Sequence, residues 1–205
     1  MKSNLKHMER VLLIDSGHGG MVGGVYQTAP HKMHLHQNGD IAYEGVLNRE
    51  VKAHLLRLLT FYNIRYIDVC PTDLDIDLDT RVDVINSYCD EFGSNNCLLI
   101  SLHSNAGGGE GFEIWTSPGA TKSDIYATAF MKEFKTSFPD IRIRKDESDG
   151  DVDKESSFYI LVNTKCPAIM PEWLFFDNID DFKIQRDPAE QKKYAEMIVR
   201  FAKNI

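Results

Sequence analysis

Apolar runs of five to seven residues alternate with amphipathic helical stretches through the first half of the chain, and that order restricts the fold more than any other feature of its 205 residues. VLLID (11–15), IRYIDV (64–69) and CLLISLH (97–103) are rich in β-branched and aliphatic residues and read as buried strands. Between the first two, residues 44–62 place Val46, Leu47, Val51, Leu55, Leu58 and Leu59 on one helical face, with Arg49, Glu50, Lys52 and Arg57 on the remainder. Between the second and third, Val82, Ile85, Cys89 and Phe92 form another stripe, and Gly93 stands where a left-handed C-terminal cap belongs. Strand, helix, strand, helix, strand implies right-handed crossovers, so the expected fold is α/β: a twisted, mostly parallel sheet with helices on both faces.

The second half continues the pattern. Residues 111–116, 158–162 and 168–172 read as further strands, and 123–138 as a helix with Ser123 at its N-cap. A last helix is capped by Asp187, has Pro188 in its first position and Glu190 in its first turn, and carries a stripe of Tyr194, Met197, Ile198 and Phe201. With 42% hydrophobic residues and no repeat or Gly/Ser linker, residues 1–205 are expected to form a single domain with no separate module after it.

Charge and composition narrow the partners. A formal net charge of −8 opposes a phosphate backbone, so nucleic acid is not expected. No apolar run approaches the roughly 20 residues of a bilayer crossing, and no Lys/Arg-rich amphipathic stretch would lie on a membrane. The N-terminal residues lack the apolar core of a secretory signal, and Cys70, Cys89, Cys97 and Cys166 form no Cys-x-x-Cys pair, so reduced thiols in a cytoplasm are expected. Oligomeric state is not fixed by any of this.

In a parallel sheet, ligands bind at the C-terminal ends of the strands. His18 follows the first strand by three residues within GHGG; His103 ends the third; Glu172 ends a late strand; Glu44 opens the first long helix. Singly, each has a plainer explanation, such as a surface turn histidine or a carboxylate complementing a helix dipole. Glu172 is the hardest to dismiss, because the apolar run before it and Trp173, Leu174, Phe175 and Phe176 after it leave a carboxylate in need of a partner. Two histidines and a glutamate are a recurring zinc ligand set that leaves a position for water, and a further unliganded glutamate would supply a base.

LLIDSGHGG, YEGVLNREVKAHLL, DTRVDVIN, LLISLHSNA, GFEIWTS and PAIMPEWLFFDN, in this order, resemble the zinc-dependent N-acetylmuramoyl-L-alanine amidase family of cell-wall lytic enzymes across nearly the whole chain. The resemblance implies that His18, Glu44 and His103 ligate Zn2+, that Glu172 is the catalytic carboxylate, and that peptidoglycan is the substrate. Ser16, in place of a frequent proline, and Pro171 and Trp173 around Glu172 depart from the family pattern and bear on peptide preference. The resemblance further implies a phage endolysin-like role, with the enzyme held in the cytoplasm until it is released to the wall. Two alternatives stand beside this reading: another zinc peptidase or N-deacetylase, and a non-catalytic module that binds an anion or peptidoglycan through GHGGMVGG.

Other segments carry weaker expectations. Asn48 and Arg81 fall in family-like positions but are explained as well by a polar helix residue and a surface ion pair, and stay outside the catalytic set. His31, His34 and His36 are expected on a mobile loop over the site, and Gly107 to Gly111 as a hinge. Residues 142–157 are dense in both charges and read as a solvated loop. Within them Asp149-Gly150-Asp151-Val152-Asp153 resembles the start of a calcium loop, but Lys154 stands where the glycine belongs and Ile160 where the bidentate glutamate belongs, so a calcium loop is rejected.

Overall fold

A computed structural model describes residues 10–148 and 150–205. The segment read above for a secretory signal, 1–9, and Asp149 of the acidic motif lie outside the described residues. In chain order the elements are β1 (Val11–Ser16), β2 (Met21–Val22), β3 (Val25–Tyr26), β4 (Met33–Leu35), β5 (Ile41–Tyr43), α1 (Glu44–Phe61), β6 (Tyr66–Asp68), α2 (Leu78–Phe92), β7 (Cys97–Asn105), β8 (Glu113–Thr116), α3 (Lys122–Ser137), β9 (Lys154–Glu155), α4 (Tyr159–Val162), β10 (Ala168–Phe175), α5 (Ile179–Gln185) and α6 (Pro188–Lys203).

Six strands form one sheet in the order β6-β1-β7-β10-β8-β9. β6, β1, β7 and β10 are mutually parallel, while β8 runs antiparallel to β10 and carries β9 parallel to itself. The period of two along each strand divides the core between the faces. Leu12, Ile14, Leu98, Ile100 and Leu102 point to a core shared with α1, α3 and α6. Val11, Leu13, Cys97 and Leu99 point to the opposite core under α2 and α4. The larger core is aromatic: Phe112 stacks on Phe134 at 3.8 Å between ring centroids, and Trp173 on Tyr194 at 4.6 Å. Each such side chain contributes about 1.5–3 kcal/mol by leaving water. The expected sheet with helices on both faces is therefore present, within a single domain.

Several local expectations are corrected. Residues 159–162 are one helical turn, which buries Ile160 and Leu161 in the core under α2. α3 begins one residue before Ser123 and is capped by Thr121 in a reciprocal box with Asp124; the Ser123 hydroxyl instead accepts the Ala168 amide and ties α3 to β10. The histidine-bearing segment holds two small hairpins, β2-β3 and β4-β5. His36 is buried there, stacked on Phe182 and hydrogen-bonded to the Phe176 carbonyl oxygen, so it is a packing residue and not part of a free loop. The glycine run is tied down, with the Gly107 and Gly108 amides donating to Asp177 and the Gly111 amide to Asp181. The acidic stretch is not wholly solvated either: it contributes β9 and buries Asp153. Among the described residues no helix is long and apolar enough to cross a membrane.

Candidate active site

β1 and β7 lie side by side in parallel, and their C-terminal ends deliver His18 and His103 to the same edge of the sheet. Beyond Ser16 the chain turns sharply, and His18 adopts φ +64, a left-handed conformation uncommon for a residue with a Cβ. Gly17 makes the approach possible: a Cβ there would lie 2.1 Å from the His103 ring. Gly45 serves the partner segment, since a Cβ on it would meet the Gly19 carbonyl oxygen at 1.9 Å, and this closeness brings the start of α1 under the turn.

Glu44, the first residue of α1, is buried between the two imidazoles. His103 Nδ1 is 3.0 Å from Glu44 Oε1, and His18 Nε2 is 3.2 Å from the same oxygen. The rings meet edge to face with centroids 5.1 Å apart. One potential ligand atom from each of the three lies within 4.8 Å of the others, a spacing that can hold a metal ion. His18 Nε2 and Glu44 Oε2 are buried without a hydrogen bond of good geometry, so the trio leaves lone pairs unsatisfied that a cation would satisfy. Two imidazoles and a carboxylate suit a borderline-soft divalent ion.

The electrostatics follow from burial opposed by mutual attraction. Burial pulls the His18 imidazole below its usual range despite the Glu44 carboxylate. Burial pushes His103 the same way, but its hydrogen bond to Glu44 and the charge of Glu172 overcome this and raise it. Burial would raise Glu44, yet the His103 hydrogen bond and the close His18 imidazole hold its carboxyl well below the usual carboxylate range.

Glu172 stands on β10 in register with His103 on β7. Its Oε2 is buried without a partner, and burial, with the Glu44 charge adding, pushes its carboxyl up to about 7. A carboxyl so placed can both take and release a proton near neutrality. His18, His103 and Glu172 open onto one cleft of about 670 Å³, also lined by Lys32, Asp75, Asn105, Trp115, Phe158 and Tyr159. Lys32 Nζ lies 3.5 Å from Glu44 Oε2 at the mouth.

Three supports were missed or misjudged in the sequence. Arg81 is buried, and its main partners are buried too: it donates to Asp15 Oδ1 at 2.7 Å, to the Ser16 carbonyl oxygen at 2.7 Å and to the His18 carbonyl oxygen at 3.2 Å, with the exposed Asp75 farther off at 3.6 Å. Asp15 in turn accepts the Ser101 hydroxyl at 2.7 Å. Asn48 donates to the Gly17 carbonyl oxygen at 3.3 Å and accepts the Ser104 hydroxyl at 3.2 Å, linking α1 to both histidine-bearing segments. Glu113, paired in register with Glu172, accepts from Asn105, Trp115, Arg144 and Lys154. An aspartate ending an apolar strand was the available signal for Arg81; nothing local marked Glu113.

The N-acetylmuramoyl-L-alanine amidase family profile matches residues 12–204. Among curated proteins, N-acetylmuramoyl-L-alanine amidase CwlM of Bacillus licheniformis is 26% identical over 170 residues, covering 83% of this chain and 58% of that protein. The chain thus spans 58% of the length of that relative. Among solved structures, an N-acetylmuramoyl-L-alanine amidase from Clostridium difficile 630 superposes with TM-score 0.72 at 22% identity, covering 96% of each chain. Ami1 of Mycobacterium smegmatis gives TM-score 0.74 at 18% identity, covering 96% of this chain and 98% of its own. These likenesses bear on the fold.

Proposed function

The chain belongs to the N-acetylmuramoyl-L-alanine amidase family, and from that premise we propose that it is a zinc-dependent hydrolase of peptidoglycan. The bond cleaved is the amide between the lactyl group of N-acetylmuramic acid and the L-alanine of the stem peptide. The observation that carries this reading is the convergence of His18, Glu44 and His103 beside Glu172 at one rim of the sheet. In it, His18, Glu44 and His103 hold the zinc. When bound there, zinc brings the pKa of a water to about 7 and polarises a carbonyl.

The remaining work belongs to the chain's own residues. Glu172 takes a proton from the attacking water and delivers it to the leaving alanine nitrogen, which departs as an amine. Burial, which raises its carboxyl to about 7, suits both transfers. Trp115 and Phe158, edge to face at 5.4 Å between ring centroids, give the cleft an apolar wall against which glycan or peptide can be positioned. Four free, buried cysteines support residence in a reducing compartment, and we place the chain in the cytoplasm of the producing cell until its release.

Digestion of purified peptidoglycan followed by mass spectrometry tests the bond. The expected products are glycan with intact lactyl groups and peptides with a free L-alanine amino terminus. Cuts within the stem peptide would favour a peptidase, and released acetate an N-deacetylase. Glu172→Gln should lower kcat by about 10²–10⁴-fold while zinc stays near one per chain; undiminished turnover would remove Glu172 from the mechanism.

A further inference from the structure

Outside the active-site cleft, three carboxylates converge with no ion pair to any of them among the described residues. Asp124 belongs to the first turn of α3, and Asp151 and Asp153 to the segment leading into β9. An oxygen from each lies within 4.8 Å of the other two. Asp153 is 1% exposed. Its Oδ2 accepts the Thr116 hydroxyl at 2.6 Å, while its Oδ1 and the Oδ1 of Asp151 are buried with no hydrogen bond. Asp124 accepts from the Thr121 amide at 2.6 Å and the Thr121 hydroxyl at 2.9 Å, which leaves lone pairs on both of its oxygens. Three negative groups, with an orphaned oxygen on Asp151 and another on the fully buried Asp153, are an unfavourable arrangement unless a positive charge joins them.

We propose that Asp124, Asp151 and Asp153 form a second metal site that binds one calcium ion and pins the acidic segment to the start of α3. All donors are hard oxygens, which suit Ca2+ and not a borderline-soft ion. The site is not the linear calcium loop rejected from the sequence, because its third carboxylate comes from a helix over twenty residues upstream in the chain. The lone pairs not supplied by these three groups would be filled by water, as is usual for calcium. The ion's place in the fold gives it a consequence: Lys154, next to Asp153, pairs with Trp115 and donates to Glu113 at the rim of the active-site cleft.

Calorimetric titration of CaCl2 into protein carrying one zinc per chain, in metal-free buffer near pH 7.5, tests this directly. The expected result is one Ca2+ per chain with Kd on the order of 10⁻⁴ M. At about 10 mM Ca2+, roughly a hundred times that Kd, Tm should rise by about 5 °C or more. Trypsin cleavage after Arg144 and Lys145 should slow in parallel. Asp151→Asn, at a half-buried position, should weaken calcium binding at least tenfold and cut the Tm rise by about half or more while retaining zinc. Absence of calcium heat in the parent protein, or a Tm rise undiminished in Asp151→Asn, overturns the proposal.

Discussion

At the scale of single residues, the site depends on what is missing at Gly17. Its absent Cβ leaves the space that the His103 ring fills, and Gly17→Ala would put a methyl carbon 2.1 Å from that ring. The ring must then leave Glu44, so zinc affinity is expected to fall by tenfold or more while far-ultraviolet circular dichroism stays near that of the parent. Metal analysis after dialysis measures it. Asp153 gives a second prediction at this scale. Burial first, with Asp151 and Asp124 adding and the Thr116 hydrogen bond opposing, pushes its carboxyl up to about 6 from an ordinary 3.8. Between those two values the folded chain holds a proton that the unfolded chain has released, so this group lowers stability as pH rises and the loss is complete above about pH 6. Relative to the parent in calcium-free buffer, Asp153→Asn should therefore gain stability as pH climbs from about 4 to about 6. Urea unfolding at several pH values reads the difference, and a constant difference would contradict the assignment.

At the scale of elements, β1 and α2 cooperate to hold a strained turn. The left-handed His18 persists because Arg81, reaching from α2, fixes the carbonyl oxygens on either side of Gly17 and neutralises Asp15 beneath them. Arg81→Met should cost about 3–5 kcal/mol in unfolding, since it strands the Asp15 carboxylate in the core. Adding Asp15→Asn should recover part of that, which a double-mutant cycle in denaturant measures. The strands β1, β7 and β10 and the helices α1, α2 and α6 were legible in the sequence, because periodicity survives wherever an element is long and one-sided. Residues 158–162 were misread, since a short apolar run has no period to distinguish a strand from a helical turn. α5 escaped notice for a related reason: seven residues give barely two turns of pattern, and its cap, Asn178, reads equally well as a loop residue. Arg81 was misjudged because charge was read as exposure, whereas this guanidinium finds Asp15 and three carbonyl oxygens that sequence spacing cannot reveal.

At the scale of the whole molecule, the fold gathers chemistry from positions far apart in the chain. His18, Glu44 and His103 meet because parallel β1 and β7 end together and the crossover helix α1 starts beneath their tips. The four residues singled out at strand and helix ends do come to one edge, with Glu172 in register beside His103. The sequence made that grouping legible because strand ends in a parallel sheet share an edge by construction. Glu113 and the Asp124–Asp151–Asp153 cluster were not legible, since β8 and β9 are short strands whose pairing comes from the tertiary structure. The central claim is that two imidazoles and one carboxylate from three separated segments hold a single metal. X-ray absorption at the zinc edge of protein loaded with one equivalent tests it most directly. The expected spectrum has only nitrogen and oxygen neighbours at about 2.0–2.2 Å, with the imidazole signal reduced in His103→Ala; a sulfur neighbour at about 2.3 Å, or a spectrum unchanged by that substitution, would contradict it.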